Sequence, residues 1–309
     1  MTGTAFLFPG QGSQKVGMGR AWAEAFPEAR GAFAEGAEAL GFDIAKLCWE
    51  GPESELQLTA NTQPAILVAS IAIARVLAAR GLEADAMAGH SLGEYSAHVA
   101  AGTLALGDAA RLVRRRGELM QMAVPVGVGA MAAILGLDAA AVLEVTREAT
   151  SDAFLCAVAN YNSPEQTVIA GHAPAVEWAM SAAKARGAKR ALPLSVSAPF
   201  HSPLMRPARE GLAPALAATR FADPSVPVVV NIDAAAVRSG DRARDALIRQ
   251  IDGPVRWAES VRALREQFGI QRFVEVGPGS VLTGLVRRIV PDAEAISMAE
   301  PESLAKLGW

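Results

Sequence analysis

The five residues Gly89-His90-Ser91-Leu92-Gly93 constrain this chain more than any other feature. They spell Gly-x-Ser-x-Gly, a pattern that puts a serine on a sharp turn between a strand and a helix. Residues 84–88 before it, Ala84-Asp85-Ala86-Met87-Ala88, are short enough and apolar enough for a buried strand. Residues 92–101 after it are mostly good helix formers, followed by Gly102 where a helix C-cap glycine belongs. The flanking glycines have a steric reason, because a side chain at either position would hold strand and helix apart. A serine so placed is exposed, and its neighbouring amides point toward whatever it attacks. The plainer alternative is a serine that only caps the helix.

The surrounding pattern supports such an elbow. Residues 4–8 read as a strand, followed by the loop Pro9-Gly10-Gln11-Gly12-Ser13-Gln14. Residues 63–80 read as a helix with Pro64 near its start, where proline is tolerated. A further helix is expected over residues 108–121. Alternating strands and helices predict an α/β fold with a parallel sheet.

After Pro125-Val126-Gly127-Val128-Gly129 the pattern changes. Strands are expected at 130–135, 154–159, 166–170 and 189–196. Helices fill 138–150, with Asp138 as N-cap, and 173–186. The run Asn160-Tyr161-Asn162-Ser163-Pro164 reads as the turn between the middle strands. The order β-α-β-β-α-β over about seventy residues is that of a ferredoxin-like unit. Residues 127–196 are therefore expected to form a small subdomain inserted into a larger one made of residues 1–126 and 197–309. The α/β pattern then returns, with strands at 226–231 and 272–276 and helices at 243–251, 256–268 and from Val281.

Composition bounds the partners. With 309 residues, net charge −3 and half the residues hydrophobic, the chain has ample material for a core and no basic stripe for nucleic acid. Cys48 and Cys156 form neither a metal spacing nor a disulfide framework. Lys15 is the first basic residue, so the N-terminus does not read as a signal peptide. The longest apolar stretch, from Ala65, meets Arg75 and is expected to be too short for a bilayer. A cytoplasmic protein with no membrane partner is the expectation.

A serine nucleophile needs a base, and the chain has four histidines. The His90 side chain should point away from its neighbour Ser91. His98 lies two turns along the helix, on the order of 10 Å away. His172 belongs to the inserted unit. His201, in a loop bracketed by Pro199 and Pro203, is the best candidate by elimination, against the alternative of a loop-capping histidine. No carboxylate declares itself as a third member.

Arg116 has apolar neighbours one turn away on both sides, at Leu112, Val113, Leu119 and Met120. It therefore sits in a buried stripe, whereas Arg114 and Arg115 face Glu118 on the surface. A buried arginine must be paired. Its partner is either an internal carboxylate or the carboxylate of a bound substrate. The loop at Gly10-Gln11-Gly12 fails the dinucleotide fingerprint, since Lys15 stands at the third glycine position. It is either a tight turn or the source of a second oxyanion donor.

Together these segments resemble the acyltransferase family of fatty-acid and polyketide synthesis, the malonyl-CoA:acyl-carrier-protein transacylases. The likeness rests on Phe8-Pro9-Gly10-Gln11-Gly12-Ser13-Gln14, Gly89–Gly93 with Glu94-Tyr95-Ser96-Ala97, and Arg116-Gly117 with Met120-Gln121. It continues through Gly129-Ala130-Met131-Ala132-Ala133, Asn160–Pro164 with Gln166, Pro199-Phe200-His201-Ser202, and Glu275-Val276-Gly277-Pro278-Gly279. The resemblance implies an α/β-hydrolase-like core with the inserted subdomain. It implies malonyl transfer from malonyl-CoA to the phosphopantetheine thiol of acyl carrier protein, with no bound cofactor and no metal. Ser91 would be the nucleophile, His201 its base and Arg116 the carboxylate binder. The amides of Gln11 and Leu92 would form the oxyanion hole, and the main-chain carbonyl of Gln250 would orient the histidine. Phe200 stands where the family's phenylalanine accompanies malonyl and a serine accompanies methylmalonyl. Rival readings are a serine esterase or thioesterase and a non-catalytic scaffold. Carrier proteins are acidic, so a basic docking face is expected at Lys184, Arg186, Lys189 and Arg190, or at Arg206 and Arg209.

Overall fold

The computed structural model describes residues 3–194, 196 and 198–307. Among these, ten strands and thirteen α-helices build two sheets. The strands are β1 (Gly3–Phe8), β2 (Ala86–Gly89), β3 (Gly129–Leu135), β4 (Cys156–Ser163), β5 (Gln166–His172), β6 (Arg190–Pro193), β7 (Val228–Val230), β8 (Ala235–Val237), β9 (Ile270–Glu275) and β10 (Glu294–Ser297). The helices of the first half are α1 (Arg20–Ala25), α2 (Pro27–Leu40), α3 (Ile44–Glu50), α4 (Glu53–Leu56), α5 (Thr59–Ala79), α6 (Gly93–Ala100) and α7 (Leu106–Met122). Those of the second half are α8 (Ala139–Ala149), α9 (Ala173–Ala185), α10 (Arg206–Ala218), α11 (Gly240–Gln250), α12 (Trp257–Phe268) and α13 (Val281–Ile289).

The larger sheet runs β10-β9-β1-β2-β7-β8. Its strands are parallel except for the edge strand β8, which pairs antiparallel with β7. Both faces are covered, as an all-but-parallel sheet requires. One cluster packs α2, α5 and α7 against Phe6, Phe8 and Met87. The other packs α12 and α13 against Ala5, Leu7, Ala86 and Ala88. Alternate residues of β1 thus face opposite layers, following the two-residue period of a strand. The second sheet, β4-β5-β3-β6, is antiparallel throughout. It buries one face under α8 and α9.

Three expectations change. The apolar helix begins at Thr59 rather than near Gln63, so α5 has 21 residues and is long and apolar enough to cross a membrane. It is instead packed in the core between α2 and α7, and Arg75 near its end pairs with Glu35 of α2. Residues 160–163 are strand, not turn, and the turn shrinks to Pro164-Glu165. The cause is tertiary. Asn160 bridges in parallel to Val255 of the larger unit, Tyr161 donates its amide to the Val255 carbonyl, and Val255 donates to Ala159. That pairing keeps extended a run whose composition favours a turn. The last strand of the small sheet is shorter than expected, Arg190–Pro193. Ser195, at the end of the expected strand, and Ser197, opening the histidine loop, lie outside the described residues.

Candidate active site

Ser91 stands between β2 and α6 at φ 54°, a left-handed conformation that strains a non-glycine residue. The glycines on either side allow the close crossing. A Cβ on Gly89 would lie 1.9 Å from the Gly93 carbonyl carbon, and one on Gly93 would lie 2.0 Å from the Phe8 carbonyl oxygen. The elbow therefore fits only if both positions lack side chains.

His201 is brought to Ser91 from a loop 110 residues away, with its Nε2 2.7 Å from the Ser91 Oγ. It too has positive φ, 56°, and its loop is braced by the Ser202 hydroxyl donating to the Pro199 carbonyl. Its Nδ1 lies 3.0 Å from the Gln250 carbonyl oxygen and 3.2 Å from that of Gly253. Carbonyls only accept, so Nδ1 carries the proton and Nε2 presents a lone pair to the serine hydroxyl. Burial, reinforced by the nearby Arg116 cation, pushes this imidazole down to about 3. The neutral, acceptor form is therefore the resting one.

The other histidines are occupied elsewhere or isolated. His90 Nε2 is 2.8 Å from Asn162 Oδ1, and its ring packs on Trp257. His172 Nδ1 accepts the Leu155 amide. His98 is fully buried, and neither ring nitrogen has a hydrogen-bond partner among the described residues.

Arg116 projects from α7 and is 2% exposed. Gly117 brings this helix against α5, since a Cβ there would meet Ala60 Cα and the Thr59 carbonyl at 2.7 Å. Its Nη1 donates to Gln63 Oε1 at 2.9 Å, and its Nη2 donates to Gln250 Oε1 at 2.9 Å and to Ser91 Oγ at 3.2 Å. Among the described residues none of these partners is a carboxylate, and Nε has no partner. Of the two expected pairings, the internal carboxylate is thus not found. Arg114 and Arg115 pair with Glu118 at the surface.

Sequence reasoning missed four contributors. Gln63 and the Gln250 side chain hold the guanidinium, and the Gly253 carbonyl shares the histidine proton. Glu94, fully buried, accepts from Gln250 Nε2 at 3.0 Å and from the Asn231 amide at 2.8 Å. Burial pushes the Glu94 carboxyl up to about 7, against the pull of those two donors and of Arg116.

Ser91, His201, Arg116, Gln63 and His90 line a cavity of about 130 Å³, with Gln11, Leu92, Met120, Met131, Asn160, Leu194, Val196 and Phe200 completing its wall. Among the described residues, the amides of Gln11 and Leu92 make no hydrogen bond. A groove of about 440 Å³ adjoins it, sharing Gln11, His90, Asn160 and Leu194 and opening past Val281 and Arg288. A larger cavity, about 670 Å³, lies at the opposite ends of the strands beside Ala84 and Val226 and holds no nucleophile–base pair. The basic residues expected to form a docking face are partly neutralised: Arg186 pairs with Glu148, Lys189 with Glu165 and Arg209 with Asp252.

An elbow serine hydrogen-bonded to a neutral histidine is the equipment of acyl transfer. Residues 5–304 match the acyl transferase domain, and the chain belongs to that family. Within it, the chain is 52% identical over 306 residues to the malonyl CoA-acyl carrier protein transacylase of Escherichia coli strain K12, covering 99% of this chain and 98% of the relative. It is 47% identical to the Bacillus subtilis protein of the same name, over 98% and 96% of the two chains. Among solved structures it is similar to an acyl carrier protein S-malonyltransferase from Vibrio cholerae, with TM-score 0.96, 47% identity and coverage of 98% and 99%. A malonyl-transacylase in complex with its type II PKS acyl-carrier protein gives TM-score 0.95, 48% identity and coverage of 99% and 98%.

Proposed function

We propose that this chain transfers a malonyl group from malonyl-CoA to the phosphopantetheine thiol of an acyl carrier protein, through a malonyl ester on Ser91. One observation carries the reading. The buried Arg116 cation lies 3.2 Å from the Ser91 hydroxyl and has amide and hydroxyl partners but no carboxylate among the described residues. Glu94 reaches it through Gln250 rather than by contact. A desolvated charge without a contacting counter-charge is costly, and the free carboxylate of a malonyl group supplies one where the acyl group must sit.

His201 Nε2 takes the Ser91 proton as Oγ attacks the thioester carbonyl. The resulting oxyanion is received by the free amides of Gln11 and Leu92, aided by the N-terminus of α6. Collapse breaks the C–S bond, and His201 returns the proton to the departing CoA sulfur. The carrier thiol then reverses these steps and leaves with the malonyl group, a ping-pong cycle. The Gln250 carbonyl keeps the imidazole in the right tautomer, a task a carboxylate performs in many hydrolases. Phe200, buried in the wall, occupies the space an α-methyl group would need. Discrimination by one such contact is worth roughly 1–3 kcal/mol. The adjoining groove gives the long thioester arm its path.

The same reading extends to the architecture. The parallel sheet with its elbow serine is α/β-hydrolase-like and belongs to a unit drawn from the described parts of residues 1–126 and 197–309. The described part of residues 127–196 is a ferredoxin-like insertion, supported by the strand order β4-β5-β3-β6. No bound cofactor enters the chemistry, and the soluble substrates suit a cytoplasmic enzyme.

The test is incubation with malonyl-CoA alone, following intact mass and free coenzyme A. The expected result is a stable malonyl adduct on Ser91 that holo carrier protein discharges. Rapid release of free malonate would instead define a thioesterase.

A further inference from the structure

Asn231 follows β7, the neighbour of β2, and is fully buried beneath the elbow. Its carboxamide touches both limbs of the turn. Nδ2 donates to the Gly89 carbonyl at 2.7 Å, and Oδ1 accepts the Ser91 amide at 2.7 Å. Its own backbone is held as well, with its amide donating to Glu94 Oε2 and its carbonyl accepting from the Arg256 amide. Glu94 Oε2 also accepts from Gln250 Nε2, which donates in turn to the Ser91 carbonyl.

We propose that Asn231 is a positioning residue for the Ser91 nucleophile, its carboxamide clamping the two limbs of the elbow so that Oγ stays within reach of His201. The proposal rests on Ser91 being the nucleophile. Ser91 occupies a strained backbone conformation, and such a residue keeps it only when its surroundings over-determine it. The clamp provides that constraint. One planar side chain with a donor and an acceptor spans the carbonyl of residue 89 and the amide of residue 91. An aspartate has the shape but no donor when ionised, and a serine has too short a reach. With the amide of Ser91 fixed, its Cα–Cβ bond is aimed, which sets the 2.7 Å contact to His201 and the 3.2 Å contact to Arg116. A misplacement of about 1 Å in such a geometry costs on the order of a hundredfold in rate.

The experiment compares wild type, Asn231→Ala and Asn231→Asp. It measures malonyl-CoA acylation by rapid-quench intact mass and labelling by a serine-directed fluorophosphonate, with the folded fraction from near-UV circular dichroism. Asn231→Ala is expected to slow acylation about a hundredfold while KM for malonyl-CoA stays within about threefold. Fluorophosphonate labelling, which needs no malonyl contact, should slow in parallel. Asn231→Asp keeps the shape and loses the donor, so it should also slow both reactions at least tenfold. Folded variants that label within threefold of wild type would overturn the proposal. So would a loss confined to KM, or failure of both variants to fold, which would make Asn231 a stability residue alone. Ser91→Ala is the separate control: malonyl uptake by that variant would overturn the nucleophile assignment itself, whatever the Asn231 variants do.

Discussion

Removing the guanidinium at position 116 tests the chemistry most sharply. In Arg116→Ala a malonyl carboxylate would enter a buried pocket that has lost its cation, while Gln63 Oε1 and Gln250 Oε1 lose the donors they face at 2.9 Å. Breaking a buried charge pair by deleting one partner costs about 3–5 kcal/mol. At about 1.36 kcal/mol per factor of ten, kcat/KM for malonyl-CoA should fall by roughly two to nearly four orders of magnitude. Acetyl-CoA gains no such charge pair in wild type, and binding it leaves the arginine unpaired in a closed site. Its rate should therefore hold or rise in the variant, and the malonyl-to-acetyl ratio should collapse. Folding should survive. Three lost hydrogen bonds, each worth about 1 kcal/mol, are largely offset by no longer burying a charge. The net change should stay within about 2 kcal/mol in urea titration. The assay is single-turnover acyl-enzyme formation with each thioester. An unchanged malonyl-to-acetyl ratio in a folded variant would refute the role given to Arg116.

Because burial and Arg116 hold His201 down at about 3, its base form persists at pH 5.5. Fluorophosphonate labelling at pH 5.5 should stay within threefold of that at pH 7.5, and a tenfold drop centred near 6.5 would contradict the neutral-histidine site. The linked stability effect has the opposite cost. The unfolded imidazole binds its proton below about 6.5, so stability from this group is lost as pH falls toward 3. Gly93→Ala places a Cβ 2.0 Å from the Phe8 carbonyl oxygen and should destabilise by about 3 kcal/mol or more. Gly284→Ala, in α13 with nothing within 4 Å of its added Cβ, should leave the melting temperature equal or higher. Equal melting temperatures for Gly93→Ala and wild type would show that strand and helix do not meet as described.

What the sequence discloses and what it hides divide along the range of the interactions involved. The elbow is legible because its constraint is local, with two glycines and a serine within five residues. Arg116 is legible because a helical wheel exposes one cation in an apolar stripe. Residues 160–163 are misread because Asn, Ser and Pro carry turn signals, while the Val255 pairing that overrides them comes from almost a hundred residues away. Glu94, Gln63 and Asn231 leave no local signature either. Glu94 is a carboxylate in the first turn of a helix, an ordinary place for one. Asn231 acts on a segment 140 residues earlier in the chain. Of the four helices before α5, α1, α3 and α4 pass unread because they are short and share one side-chain N-cap, Asp43. The longer α2 has its buried positions at helical spacing, Ala29, Ala32, Phe33 and Gly36, but all except Phe33 are small and make a faint apolar stripe.

The pairing of Asn160 and Tyr161 with Val255 has a consequence for how such a cleft can change over generations. The small sheet is joined there to the segment leading into α12 by main-chain groups, Tyr161 to Val255 and Val255 to Ala159, which every residue type except proline can supply in full. The separation of the walls is therefore insulated from most substitutions. Side chains that face the cleft, such as Phe200, Met120 and Met131, can be exchanged one at a time to retune the acyl group admitted, with the frame between them left undisturbed.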